Sequence, residues 1–203
     1  MKKYVRNYET LLKIAGAISH SKNSEEVALM TVESITTALG VKGCALFLIN
    51  KRKDELRIAA SFGLSDEYIN KGPLSVKHSI AKSLQEGPVA IYDVTDDPRI
   101  QYPEEAEREG IASILSIPIV SGGNVIGALR VYTSENWEFT LDDVDFVQAL
   151  AQITGMALRQ SKLYQGQKES IRVLKSLREP QVSSSTRRTP YEGVPESVPL
   201  DEL

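Results

Sequence analysis

The stretch IASILSIPIV-SGG-NVIGALRVYT, Ile111 to Thr133, decides the fold. Two ten-residue apolar runs rich in β-branched residues flank Ser121-Gly122-Gly123, a sequence with turn chemistry, so the natural reading is an antiparallel hairpin. Runs this apolar belong inside a sheet, so both strands are expected to be central. Arg130 interrupts the second run, and a buried guanidinium needs a partner: a bound ligand, or a carboxylate from the loop Asp93 to Asp97. A salt bridge at the sheet surface is the plainer alternative. With a two-residue turn Arg130 shares a face with Leu115 and Ile117; with three it joins Ile114 and Ser116.

Working outward toward the N-terminus, PEEAEREG (Pro103–Gly110) predicts a short acidic helix with proline in its first turn. Before it, YDVTDDPRI (Tyr92–Ile100) gathers Asp93, Asp96 and Asp97 ahead of Pro98 and Arg99, a pattern that suits turn initiation and carries no histidine or cysteine to complete a metal site. PVAIYD reads as extended, SIAKSLQEG (Ser79–Gly87) as a short helix stopped by glycine, and PLSV (Pro73–Val76) as a further strand. GCALFLIN, the charged turn KRKDE and the alternating LRIAASF form another hairpin. Ahead of these, Ala28, Val32, Ile35 and Leu39 describe a helix that Ser24 can cap and Gly40 can end. Tyr8, Leu11, Ala15 and Ile18 give a first helix with one narrow apolar seam.

Toward the C-terminus, Thr140 and Asp143 have capping-box spacing, and Val144, Val147, Ala151, Thr154 and Leu158 follow at helical spacing. If that helix continues to Arg178 it would reach roughly 57 Å at 1.5 Å per residue, beyond the body of one small domain. From Pro180 onward four prolines and a serine run predict a disordered tail.

Composition narrows the function classes. The 203 residues carry a formal net charge of −3, with no obvious basic patch for a nucleic acid backbone. No run of about 18 apolar residues suits a membrane span, and Lys13 splits the one apolar run of the N-terminus, so no secretory signal is read. Cys44 is the single cysteine, which excludes an intrachain disulfide and a multi-cysteine zinc site and suits a reducing cytoplasm.

The predicted order of elements is α+β, with a central antiparallel sheet of about six strands. Gly63 after the second strand, PVAIYDVTDDPR, GIASILSIPI, GGNVIGALRVY and FTLDDVDFVQALAQITGMAL together resemble a GAF domain, a ligand-sensing relative of PAS modules. The resemblance implies long helices on one face of the sheet, and short helices and loops enclosing a small-molecule pocket on the other. It divides the chain into an N-terminal helix (1–22), a GAF domain (23–160), a helical extension (161–179) and the tail (180–203). It names no cofactor, since family members bind cyclic nucleotides, bilins, haem, iron, small metabolites or nothing.

Several sharper family readings fail on residues. Asn50, Lys51, Phe62, Asp66 and Glu67 fit the letters of the cyclic-nucleotide signature, but they span the first hairpin instead of the last strand and final helix, where Tyr132 and Thr133 replace the Asn and Lys. Cys44 lies in the first predicted strand, away from the position that attaches bilins, and a lone cysteine does not suit the family's free methionine sulfoxide reductases; it reads as a small buried hydrophobe. No enzymatic activity is expected. Candidate pocket residues are Ser61, His78, Ser79, Asp93, Asp97, Arg99, Ile100, Ile114, Ser116 and Arg130. His78 precedes a short helix whose amides could meet an anion, and it could ligate haem or iron, with a surface or capping role as the plainer reading.

The resemblance further implies a homodimer through the end helices. Between Arg159 and Glu179 six basic residues meet two acidic ones, whereas Asp93 to Glu109 holds seven acidic and two basic. Two functions are carried forward: a non-catalytic sensor that relays small-molecule binding through dimer helices to a partner signalling protein, or a ligand-free interaction scaffold.

Overall fold

The computed structural model describes residues 2–21, 23–50, 52–75 and 87–178. His78 and Ser79, the helix expected over 79–87 up to Glu86, and the tail from 179 lie outside the described residues. The chain divides into two units, Met1–Gly166 and Gln167–Leu203.

The first unit holds a six-stranded antiparallel sheet. Strands β1 (Gly43–Asn50), β2 (Glu55–Phe62), β3 (Leu74–Ser75), β4 (Val89–Ile91), β5 (Ser113–Ser121) and β6 (Asn124–Thr133) lie in the order β3-β2-β1-β6-β5-β4. The hairpin predicted from Ile111 to Thr133 is therefore β5–β6, and both of its strands are interior. Helices α1 (Lys2–His20), α2 (Ser24–Leu39) and α5 (Leu141–Arg178) are long; α3 (Asp66–Ile69) and α4 (Pro103–Arg108) are short.

The period-2 alternation of the strands sorts their side chains into two layers. Cys44 and Leu46 of β1, Leu115, Ile117 and Ile119 of β5, and Leu129 and Val131 of β6 face the long helices. There they pack with Ile14 and Ile18 of α1, Val32 and Ile35 of α2, and Val147, Leu150 and Ala151 of α5. Ala45, Phe47, Ile114, Ala128 and Tyr132 face the other way and pack with Tyr68, Val94 and Ala106 from the short helices and loops. The long helices on one face, with short elements on the other, are the arrangement that the sequence led us to expect.

Local chemistry sets the helix ends. Asn23, not Ser24, is the N-cap of α2: its side chain accepts from the Glu25 amide at 3.0 Å. Gly40 ends that helix at φ 65°, left-handed backbone that glycine adopts without strain. Thr140 and Asp143 form the predicted capping box, with the Thr140 amide donating to Asp143 Oδ2 at 3.1 Å and the Asp143 amide to Thr140 Oγ1 at 3.3 Å. Inside, the hydroxyls of Thr31 and Thr154 meet at 3.0 Å and tie α2 to α5 without leaving a buried polar atom unsatisfied.

The β5–β6 hairpin resolves the face of Arg130 by a route that neither expected turn length contained. Ser121 pairs with Asn124 around Gly122 and Gly123, whose φ values of 58° and 77° fit a two-residue turn. The register then shifts: Val120 pairs with Val125 but Ile119 pairs with Gly127, so Ile126 is an extra residue in β6. This bulge makes Ser116 the partner of Arg130, on the face away from the long helices. Gly127 is needed there, because a Cβ would stand 2.1 Å from the Phe47 carbonyl of β1.

Candidate functional site

Arg130 is 4% exposed, at the base of a small cavity. The sheet supplies its floor. Arg130 and Ile114 line the cavity, Ser116 sits directly across from Arg130, and the guanidinium carbon lies 5.2 Å from the Phe47 ring centre. Tyr132, two residues on and hence on the same face, accepts hydrogen bonds from Arg130 and from the Tyr68 hydroxyl. The Tyr68 and Tyr132 rings meet edge to face at 5.7 Å. Burial pushes both phenols up, Tyr132 to about 12, so both remain neutral near pH 7.

The wall comes from α3 and the loop after it. Ser65 caps α3 by accepting from the Tyr68 amide at 3.2 Å, and Glu109, beyond α4, takes the Ser65 amide and hydroxyl. Burial alone would raise the Glu109 carboxyl, but the two Ser65 hydrogen bonds and Lys42 outweigh it and hold the group below its ordinary value. This clasp fixes Tyr68 over the sheet. Lys71 follows: its Nζ donates to the Tyr68 carbonyl at 2.8 Å and stands 3.3 Å from the centre of the Tyr68 ring. Burial, then the charge of Arg130, lowers the Lys71 ammonium to about 8, while Glu105 and Glu109 act weakly in the opposite sense.

The rim is Tyr92–Tyr102. Asp93 accepts from the Thr95 amide and hydroxyl at 2.9 and 2.7 Å, an Asx turn that holds its carboxyl below the ordinary value. Asp97 does the same for the Arg99 amide at 2.9 Å and also binds the Arg99 side chain, which keeps the Asp97 carboxyl low. Gln101 then donates to the Pro73 carbonyl at 3.2 Å and accepts from the Ser75 amide at 3.0 Å, and the Tyr102 hydroxyl donates to the same carbonyl at 3.1 Å. These bonds latch the rim to the loop that carries Lys71.

The cavity inside, about 20 Å³, is lined by Tyr68, Lys71, Arg99, Ile100, Ile114 and Arg130 among others. Beside it a cleft of about 420 Å³ runs over Phe47, Leu56, Ile58 and Ile69, and Lys71 and Leu74 border both spaces. Of the residues singled out from the sequence, Arg99, Ile100, Ile114 and Arg130 meet at the inner cavity, and Ser116 stands across the strand pair. Asp97 acts through Arg99. Asp93 turns toward Thr95 and Asn136, and half-buried Ser61 pairs with Ala45 along β1 and borders neither space. Tyr68, Lys71, Gln101 and Tyr132 were missed. Tyr132 was available from the alternation through Arg130, and Ser65 followed by Asp66 and Glu67 is a helix-start signal that would have placed Tyr68.

Cys44 is fully buried in the layer beneath the long helices, on the opposite side of the sheet from this cavity, and burial pushes its thiol up. Among the described residues no group of three His, Cys, Asp or Glu side chains converges on a metal position, and no helix is long and apolar enough to cross a membrane.

The GAF domain family matches residues 21–159. No functionally curated protein matches the chain. Among solved structures, the chain is similar to the GAF domain of a phosphoenolpyruvate-protein phosphotransferase from Coxiella burnetii, with TM-score 0.71 and 21% identity over 80% of this chain and 98% of that one. It is also similar to the free methionine-R-sulfoxide reductase from Neisseria meningitidis, solved with its substrate, with TM-score 0.69 and 19% identity over 81% and 94%. A third similar structure is a domain of a two-component sensor histidine kinase from Sinorhizobium meliloti, with TM-score 0.60 and 22% identity over 71% and 96%. At these identities the likeness establishes the fold.

Proposed function

The chain belongs to the GAF domain family, and on that footing we propose that it is a non-catalytic sensory or regulatory module of the cytoplasm. It binds a small molecule over Arg130 and passes the binding event through a homodimer to a signalling partner. The observation that carries this reading is the buried polar site itself. Arg130, Lys71 and Tyr68 converge on a cavity under a latched rim, whereas burial of charge without function is costly. The position of Cys44 supports a non-catalytic role, since a raised thiol on the far side of the sheet cannot attack a molecule held over Arg130.

Two features support the dimer. Tyr8 and Leu12, one turn apart on α1, are 65% and 57% exposed, as are Met156 and Leu163 on α5 at 63% and 60%. Within the second unit Ile171, Leu174 and Leu177 repeat at three-residue spacing and are all exposed. A second copy would cover such seams. Binding would be transmitted only if the ligand favours one arrangement of rim and helices over another.

Native mass spectrometry of the full chain, with thermal-shift measurements across a metabolite panel, tests the reading: a dimeric mass and at least one ligand that raises the melting temperature are expected. The inner cavity, at about 20 Å³ barely larger than a water molecule's space, favours a second reading, a ligand-free interaction scaffold. A dimer that no metabolite stabilises, and that captures a protein partner only with residues 180–203 present, would establish the scaffold instead.

A further inference from the structure

The chemistry of the site narrows what it binds, and this inference rests on the sensory reading above. We propose that the pocket takes a small organic carboxylate, with the carboxylate received between Arg130 and Lys71 and the apolar body lying along Phe47, Leu56, Ile58 and Ile69.

The sign of the charge comes first. Three cations, Lys71, Arg99 and Arg130, border one cavity; Asp97 engages Arg99, and Arg130 is close enough to depress Lys71, an arrangement of like charges that an anion between them relieves. Burial keeps the Tyr68 and Tyr132 phenols neutral, so neither adds a negative charge, and the Ser116 hydroxyl, fully buried opposite Arg130, has no hydrogen-bond partner among the described residues. Among the described residues the nearby carboxylates are engaged by other groups, Asp97 with Arg99, Glu109 with Ser65 and Lys42, and Glu105 with Arg108.

Size selects among anions. The inner space of about 20 Å³ favours the smaller, planar carboxylate over a tetrahedral phosphate, and a guanidinium fork matches a carboxylate edge. The rest of the ligand has a place, since the adjoining cleft of about 420 Å³ lies within the range of small-molecule sites and its walls are largely hydrocarbon. Lys71, which borders both spaces, stands where a carboxylate would join its apolar body.

Titration calorimetry of the full chain with acetate, hexanoate, benzoate and phenylacetate, each paired with its primary amide, and with inorganic phosphate, tests the assignment. At least one carboxylate is expected to bind about tenfold or more tightly than its amide, the size of one charge-assisted hydrogen bond. Lys71→Met should remove that preference and Lys71→Arg restore part of it, with unchanged circular dichroism in both. If carboxylates bind no better than amides, or phosphate binds better than every carboxylate, the assignment is overturned. Should a neutral metabolite stabilise the protein while no carboxylate binds, only this inference falls; if nothing binds, the sensory reading falls with it.

Discussion

Lys71→Met is the perturbation that examines the site most directly without any ligand. The Lys71 ammonium titrates at about 8 in the fold against an ordinary 10.5, chiefly because it is largely buried and secondly because Arg130 is near. A base depressed by folding costs stability below its folded pKa, and the cost fades as pH rises from about 8 toward 10.5. Between pH 7 and 9 the full displacement corresponds to about 1.3 kcal/mol. Water on the exposed flank of the side chain screens it, so roughly half that is expected. Wild type should therefore gain on Lys71→Met by about 0.7 kcal/mol over that range, or about 2 °C in melting temperature for a domain of this size. Urea unfolding of both proteins at pH 7, 8 and 9 reads the difference. The comparison matters because Cys44, Tyr68 and Tyr132, all raised by burial, lower the stability of both proteins at alkaline pH. Parallel profiles across the range would refute the reasoning, placing Lys71 in water and not in the wall.

Other substitutions probe the scaffold. Leu150→Ala, at a fully buried position between α5 and the sheet, should cost about 3 to 5 kcal/mol in urea unfolding. Gly155→Ala places a Cβ 2.4 Å from the Val120 carbonyl, so α5 must move off β5; a loss of about 1 to 3 kcal/mol is expected, and an unchanged midpoint would show that the helix gives way freely. Ser116→Ala removes a buried hydroxyl that has no partner among the described residues and should hold or raise stability by about 1 kcal/mol while weakening any carboxylate ligand. Glu109 titrates below its ordinary 4.5, so its contribution is present above that pH and lost as pH falls through the folded value. Glu109→Gln should accordingly flatten the acid limb of the stability profile.

Much of the scaffold was legible because it depends on local pattern. β6 occupies the ten residues the apolar run marked, and Thr140 and Asp143 stand where their spacing placed a helix start. Asp93 and Asp97 of YDVTDDPRI behave as turn formers whose acceptors serve backbone amides within two residues, a property of short polar side chains that needs no tertiary contact. The site was less legible. Lys71 sits in a loop with no periodicity, and only the packing of α3 against Tyr132 makes it part of a wall. The face of Arg130 depended on Ile126, a bulge set by the approach of β1 to Gly127, and counting turn residues could not detect it. The glycine within an apolar strand was the available hint.

That bulge gives Arg130 a second consequence, one for how the chain finds its own pairing. In a hairpin zipped straight from the Gly122–Gly123 turn, Arg130 would fall opposite Leu115, and its guanidinium would enter the hydrocarbon layer beneath the long helices. The arginine thus penalises the mispaired sheet, an off-by-one alignment that the surrounding Ile, Leu and Val residues would tolerate. On the carboxylate assignment proposed above, a single residue would then couple ligand recognition to the pairing of the sheet. Variants that replace Arg130 with a hydrocarbon would lose the penalty on the wrong alignment and, on that assignment, the preference for anions.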